Sequence, residues 1–252
     1  MNGPPVTEER HTAPGMEDHH LQRGPYDYRS VYLWHWPIRA MHWVAVVCIL
    51  TLIVTGFYIG RPYFATGGEA SSHFLMGWMR FIHFAAAGLL VATAIIRAYW
   101  LFVGNRFERW KALFPVKPAD WKNLVKVVKA YLFIHPREAP QYMGHNPIQQ
   151  FSYTFLYLVA AVQVATGFAL YGLSSPSGIF FTGFSSWMGP LFGGFQVVRF
   201  VHHILTWVFL VFIPIHVYLV VRADVVHRES RMSSIISGSR YVRDDVEFVD
   251  EE

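Results

Sequence analysis

Residues 200–221 have the sequence FVHHILTWVFLVFIPIHVYLVV, an apolar run with histidines towards both ends and no Asp, Glu, Lys or Arg. The hydrocarbon core of a bilayer is about 30 Å thick and needs roughly 20 helical residues at about 1.5 Å of rise each. This run meets that length, and buried helices of soluble proteins are seldom so long and so free of charge. The stretch therefore predicts a membrane-spanning helix.

Three runs of the same kind come earlier in the chain, at residues 40–60, 81–104 and 151–173. Only the second contains a charge, Arg97, whose long side chain can place its guanidinium in the headgroup layer. The whole chain is 53% hydrophobic and 15% charged, whereas an average soluble domain is roughly 25% charged. Together these features predict an all-α membrane protein built as a bundle of four transmembrane helices.

The basic residues indicate how this bundle is oriented, because Lys and Arg in short loops and near helix ends stay on the cytoplasmic side. Basic residues precede the first run, occupy the connection between the second and third, and follow the fourth, whereas only Arg61, Arg80 and Arg199 lie at the opposite ends. Both termini are therefore predicted to be cytoplasmic. The basic residues on the cytoplasmic side of the membrane account for the net charge of +4, so no nucleic-acid partner is expected.

The segments outside the runs complete the predicted organisation. Residues 1–30 are polar and contain several prolines, which predicts a flexible N-terminal tail without a cleavable signal peptide. Residues 31–230 form the membrane domain, and residues 231–252 form a C-terminal cytoplasmic tail. Residues 120–133 place lysines on one face of a helix among apolar residues, which predicts an amphipathic helix on the inner membrane surface or against a partner subunit.

Histidines inside the apolar runs are the candidate functional residues, because ionisable side chains within a membrane are costly and rare. They are His42, His83, His202, His203 and His216. With both termini inside, His83 and His202 lie near the outer ends of their helices and form an outer pair. His42 and His216 lie near the inner ends and form an inner pair.

The spacing along the fourth run supports this division. His202 and His216 lie about 21 Å apart by helical rise and within roughly 40° of the same face. His203 points roughly 140° away from His216, so we expect it to be a hydrogen-bonding neighbour of the pairs. Two imidazoles from different helices of a bundle can hold a haem iron with no open position.

Other cofactors suit these residues less well. The only cysteine, Cys48, excludes a haem attached through a Cys-x-x-Cys-His motif. A zinc or di-iron site needs several ligands at one depth, usually with carboxylates, and the four runs contain no Asp or Glu. The sequence therefore favours two non-covalent haems.

Three arginines each stand three residues before one of these histidines, on the same helical face. They are Arg39, Arg80 and Arg199. Guanidinium groups pair well with carboxylates such as haem propionates. Interfacial arginines that extend to the headgroups are the alternative explanation.

Two motifs carry a resemblance to a known family. RAMHW at residues 39–43 continues to LIVTG at residues 52–56, and RFVHH at residues 199–203 is followed by His216. These motifs resemble the b-type cytochrome subunit of membrane-bound nickel-iron uptake hydrogenases, and the resemblance covers about residues 30–230.

This resemblance implies two b haems, the outer one held by His83 with His202 and the inner one by His42 with His216. It implies that electrons pass from the iron-sulfur small subunit of a hydrogenase, which also has a large subunit, to membrane quinone. The chain would then be the electron-transfer subunit of a hydrogen:quinone oxidoreductase complex in the bacterial inner membrane.

Several alternatives stay open at this point. Cytochromes of membrane formate dehydrogenases share the general arrangement, so the donor is not named by the histidines alone. A transporter or scaffold with membrane histidines is an alternative of another class. The quinone-binding residues are not identified, because the aromatic residues at positions 32–36 suit an interfacial belt as well as a quinone site.

Two further features call for a structure. The segment 171–198 contains no charged residue and many aromatic ones, which suits either an outer membrane interface or the docking of an extracytoplasmic redox subunit. A short echo, VTGF at residues 54–57 and ATGF at residues 165–168, places a glycine where a flat ligand or another helix can approach the backbone.

Overall fold

The computed structural model describes residues 21–22, 27–64, 74–116, 118–131, 140–227 and 230–251. The helices are α1 Trp36–Gly60, α2 Leu75–Val103, α3 Trp110–Leu113, α4 Pro118–Tyr131, α5 Pro147–Gly172, α6 Ser186–Phe192, α7 Phe195–His227 and α8 Arg231–Ser237. The strands are β1 Leu21–Gln22, β2 Asp27–Tyr32 and β3 Ser239–Arg243.

In the part of the chain that the structure describes, four helices are long and apolar enough to cross a membrane, namely α1, α2, α5 and α7. They confirm the four predicted transmembrane helices, although each begins several residues before its apolar run. For α5 the reason is local: the Asn146 side chain accepts a hydrogen bond from the Gln149 backbone N–H, and the Gln149 side chain accepts one from the Asn146 N–H. This reciprocal cap starts the helix in the polar layer before the apolar run.

Large apolar side chains cover the outside of the bundle. Ile95 and Phe102 on α2, Leu158 on α5 and Tyr218 on α7 are each more than half exposed within the chain. A soluble monomer rarely leaves so much apolar surface in water. This surface is instead suited to lipid, where the backbone polar groups are satisfied within the helices.

A small antiparallel sheet joins the two ends of the described chain. Its strand order is β1-β2-β3, and β2 pairs with β3 from Tyr28 opposite Arg243 to Tyr32 opposite Ser239. The segments before α1 and after α7 therefore meet at one end of the bundle, which we call the sheet end. The opposite end, where α1 and α5 finish and α7 begins, is called the loop end.

The sheet corrects the sequence interpretation in two respects. A purely helical chain was expected, and the tail at residues 1–30 was expected to be flexible, but residues 21–22 and 27–32 are strands. Residues 1–20 and 23–26 lie outside the described part of the chain. The strands escaped prediction because the partner of β2 lies more than 200 residues away, and a short polar segment carries little signal of its own.

The C-terminal tail at residues 231–252 packs onto the sheet end. Phe248 contacts a buried cluster of Leu33, Phe107 and Met143. The Asp250 carboxylate accepts backbone hydrogen bonds from Met143, at 2.6 Å, and Gly144, at 2.7 Å. The acidic tail thus holds the segment that leads into α5.

Helix α4 is the predicted amphipathic helix. Lys122, Lys126 and Lys129 are exposed on it, and Val127 is buried. The Trp121 ring packs edge-on against Phe151 of α5 at 4.6 Å. The helix therefore rests on its own bundle, while residues 132 and 133 of the predicted span lie outside the described residues.

The uncharged segment at the loop end folds into a single π-helical turn, Phe181–Ser185, followed by α6. Met188 is buried against Ala169 and Val198. The Ser185 hydroxyl donates a hydrogen bond to the Ala169 carbonyl at 2.6 Å. Part of the aromatic surface expected here therefore packs inward on α5 and α7.

Candidate functional site

The structure brings the predicted histidine pairs together. His83 of α2 and His202 of α7 lie within electrostatic range of each other near the loop end. His42 of α1 and His216 of α7 do so near the sheet end. Helix α7 thus presents one imidazole to a second helix at each of two depths, as its spacing predicted.

The outer pair is held by two matched contacts. His83 Nδ1 lies 2.9 Å from the Thr55 hydroxyl of α1, and His202 Nδ1 lies 2.9 Å from the Thr166 hydroxyl of α5. The next residue in each case is a glycine. A Cβ on Gly56 would stand 3.3 Å from His83 Cε1, and a Cβ on Gly167 would stand 3.2 Å from His202 Cε1.

The inner pair is held differently. His42 Nδ1 is buried and has no hydrogen-bond partner among the described residues. The His42 ring packs edge-on against Trp43 at 5.3 Å, and the His216 ring stacks on Phe212 at 5.4 Å. Aromatic side chains therefore orient these imidazoles.

His203 is adjacent to His202 but has different contacts. Its ring packs edge-on against Phe57 at 5.3 Å, and a Cβ on Gly60 would stand 3.8 Å from its Nδ1. The side chain is exposed and faces α1, the helix that also carries His42, the partner of His216.

The three candidate propionate arginines have different surroundings. Arg39 donates to the Ile236 carbonyl through one guanidinium nitrogen, while its buried Nε has no partner among the described residues. Arg80 is exposed at the loop end. Arg199 is also exposed and donates to the Gln196 side chain at 3.1 Å.

A buried carboxylate at the sheet end was missed by the sequence interpretation. Glu108 is completely buried and accepts hydrogen bonds from the His35 backbone N–H, at 2.6 Å, the His35 ring at 3.0 Å and Trp100 Nε1 at 2.8 Å. The Arg97 guanidinium donates to the Glu108 carbonyl at 3.1 Å. The Arg97 guanidinium is therefore bonded to the protein at the sheet end. Nothing in the sequence separates Glu108 from Asp120 and Glu138, the other acidic residues of this basic connection.

His145 lies in the same region. Burial, together with the nearby guanidinium groups of Arg97 and Arg231, lowers the pKa of His145 to about 3. The ring is therefore neutral at physiological pH and packs against Trp34 and Tyr153. His145 Nδ1 and Arg97 Nη1 are buried without a hydrogen-bond partner among the described residues.

An apolar groove of about 580 Å³ runs between α5 and α7. Phe155, Trp207, Val211 and Phe212 are among its walls. Phe212 also stacks on His216, so one wall of the groove contacts a histidine of the inner pair.

The residues present fit haem. Each site offers two imidazoles from different helices, which suffices for a haem iron without an open position. Because Gly56 and Gly167 have no side chain, the imidazoles of His83 and His202 lie close to the backbone of the neighbouring helices. Buried nitrogens of Arg39, His42 and Arg97 at the sheet end have unused hydrogen-bonding capacity, and buried polar groups are normally paired.

Comparisons with known proteins agree with this geometry. Residues 33–238 match the family model of prokaryotic cytochrome b561. The chain is 41% identical over 218 residues to the probable Ni/Fe-hydrogenase B-type cytochrome subunit of Azotobacter chroococcum, covering 86% of this chain and 90% of the relative. The corresponding subunit of Cupriavidus necator is 37% identical, with 86% and 89% covered.

A more distant relative has a similar name. The probable Ni/Fe-hydrogenase 1 B-type cytochrome subunit of Escherichia coli is 34% identical over 217 residues, covering 84% of this chain and 91% of the relative. The family match spans all four long helices and both histidine pairs. The chain therefore belongs to the prokaryotic cytochrome b561 family and is a multi-pass electron-transport protein of the bacterial inner membrane that binds haem b.

Proposed function

We propose that this chain is the membrane subunit that passes electrons from the iron-sulfur small subunit of a nickel-iron hydrogenase to the membrane quinone pool. The observation that carries the proposal is the presence of two imidazole pairs at two depths of one helical bundle. The names of the relatives supply the donor.

Two b haems are proposed, the outer one bound by His83 and His202 and the inner one by His42 and His216. A haem bound by two imidazoles supplies a one-electron centre without a free position for oxygen. The bundle contributes ligands at fixed depths and apolar walls that exclude water. We assign Arg39, Arg80 and Arg199 to the propionates, because their guanidinium groups lie towards the helix ends near the pairs.

Both termini are proposed to be cytoplasmic, with the sheet end inside. The basic connection from Arg97 to Arg137 and the arginines that follow α7 belong to this end, as positive charge on the cytoplasmic side requires. The loop end then faces outward and carries few charges. Electrons enter at the outer pair and leave at the inner pair.

Quinone reduction is proposed near the inner pair. The apolar groove between α5 and α7 is lined in part by Phe212, which stacks on His216, and its apolar walls suit the tail of a lipid-soluble acceptor. The aromatic residues before α1 are less suited to this role, because Trp34 donates to Ser234 and His35 donates to Glu108.

The hydrogenase is proposed to dock on the loop end. Although Met188 packs inward, Ile179 is 80% exposed and Leu191 is 68% exposed, and Trp187 is also exposed beside them. Such apolar side chains in an uncharged segment are typical of a protein interface.

Replacing both Ile179 and Leu191 with aspartate is expected to weaken hydrogenase binding more than about tenfold, because two desolvated charges would stand in the interface. The measurement is the fraction of hydrogenase small subunit that co-purifies, with haem content checked in parallel. Val249→Asp is the control, since Val249 is exposed at the sheet end. If the double variant co-purifies normally with the hydrogenase while Val249→Asp loses it, the docking surface lies at the sheet end and our proposal is wrong.

A further inference from the structure

The two Thr-Gly pairs of the sequence echo contact the two histidines of the outer pair. Thr55 and Gly56 lie on α1 and face His83 of α2, while Thr166 and Gly167 lie on α5 and face His202 of α7. Each histidine is thus held by the helix next to its own, and the two halves of the bundle use the same device.

The hydrogen bonds define where the ring proton lies. The Thr55 hydroxyl lies 2.7 Å from the Thr51 carbonyl, and the Thr166 hydroxyl lies 2.8 Å from the Val162 carbonyl. A carbonyl only accepts, so each hydroxyl uses its single proton there. Each hydroxyl oxygen must therefore accept a hydrogen bond from the imidazole, whose Nδ1 carries the proton.

The opposite nitrogen of each ring is then unprotonated. A neutral imidazole with its proton on Nδ1 has a lone pair on Nε2, the atom available to a metal. For His202 a second contact agrees with this tautomer, because the Gln163 amide nitrogen lies 3.5 Å from His202 Nε2, where an acceptor is expected.

The glycines complete the arrangement. A methyl group at Gly56 or Gly167 would stand 3.3 or 3.2 Å from the ring carbon next to the protonated nitrogen. Such a contact is tight enough to displace the ring. The small residue therefore allows the imidazole to approach the threonine on the same helix.

The inner pair lacks this device. No hydrogen bond to His216 Nδ1 is present among the described residues, and His42 Nδ1 is buried without a partner there. A hydrogen bond from a ligand imidazole raises its basicity and orients it. The two sites therefore differ in how strongly their imidazoles are polarised.

We propose that Thr55 and Thr166, with the glycines that follow them, are positioning residues for the outer haem. They fix the tautomer and orientation of its axial imidazoles and hold its midpoint potential below the value it has without these hydrogen bonds. This inference rests on the proposed assignment of His83 and His202 as ligands.

The test is a redox titration of the purified cytochrome, combined with electron paramagnetic resonance of the ferric haems. Thr55→Val and Thr166→Val keep the side-chain volume and remove the hydroxyl. We expect both variants to retain two haems, with an upward shift of the outer midpoint potential and changed g-values for that haem alone. Thr→Ser at either position keeps the hydroxyl, so we expect it to keep the wild-type midpoint potential and g-values of the outer haem.

Matched controls lie on α2. Thr93 is buried and its hydroxyl donates only to the Leu89 carbonyl, so Thr93→Val removes a hydroxyl without touching a histidine. Gly88 has open space around it, so Gly88→Ala is the control for Gly56→Ala and Gly167→Ala. The last two variants are expected to alter the outer g-values, and they provide a second test if a valine variant does not fold.

Two failures can be distinguished. If His83→Ala and His202→Ala lose the outer haem while the valine and alanine variants keep wild-type potentials and g-values, the positioning role is wrong and the ligand assignment stands. If His83→Ala and His202→Ala keep both haems, the ligand assignment itself is wrong.

Discussion

Replacing His202 with alanine will leave the purified protein with one haem b in place of two. His202 lies beside His83, with its Nδ1 bonded to Thr166 and the Gln163 amide nitrogen 3.5 Å from its Nε2, the nitrogen that would bind iron. A non-covalent haem that loses one of its two protein ligands loses much of its binding energy. Haem content per chain and the reduced-minus-oxidised spectrum measure the result.

The other ligand variants test the pairing. His83→Ala is expected to lose the same spectral component as His202→Ala, whereas His42→Ala and His216→Ala are expected to lose the other one. His203→Ala is the matched control, because His203 is adjacent in sequence but faces Phe57 on α1. Loss of a haem in His203→Ala with retention in His202→Ala would mean that the helix-face argument chose the wrong neighbour.

Hydrogen and quinone will generate a membrane potential in sealed vesicles that contain the intact complex with its hydrogenase side outward. In the proposed arrangement, hydrogen oxidation releases protons outside, and quinone reduction near the inner pair takes protons from inside. Electrons cross about 21 Å between the two depths of α7, so the hydrogenase side becomes positive. A potential-sensitive dye measures the effect, which an uncoupler should abolish.

The complex with His202→Ala is the control for this experiment, since without the outer haem neither quinone reduction nor a potential is expected. Quinone reduction at the normal rate with no uncoupler-sensitive potential would place the quinone site on the outer side. The acceptor would then have to be moved away from the inner pair.

The membrane helices could be predicted from the sequence because each contains an apolar run of the length that a bilayer requires. Their ends could not, because caps such as that of Asn146 and Gln149 lie in polar sequence outside the runs. The small sheet was also beyond prediction, since β2 and β3 are separated in sequence by the whole bundle. The outer segment was predicted as a surface, but some of its apolar residues, among them Met188 and Phe184, pack against α5 and α7.

The depths of the histidines could be predicted, because depth follows from residue number along a helix, whereas their role as haem ligands stays a prediction. The environment of Arg97 could not, since its acceptor is the backbone of Glu108 beyond the end of the helix. The echo around Thr55 and Thr166 was visible in the sequence, but its contacts depend on which neighbouring helix each threonine faces. The four-residue echo can be interpreted only once the structure shows that both copies contact a histidine.

The ratio of haem to protein in the purified, intact chain tests the central claim most directly. Haem is quantified as pyridine haemochrome after acid-acetone extraction, and protein by amino-acid analysis. Two imidazole pairs predict a ratio close to two haem b per chain, all of it extractable because the only cysteine, Cys48, belongs to no haem-attachment motif. A ratio of one or zero would contradict the two-site account.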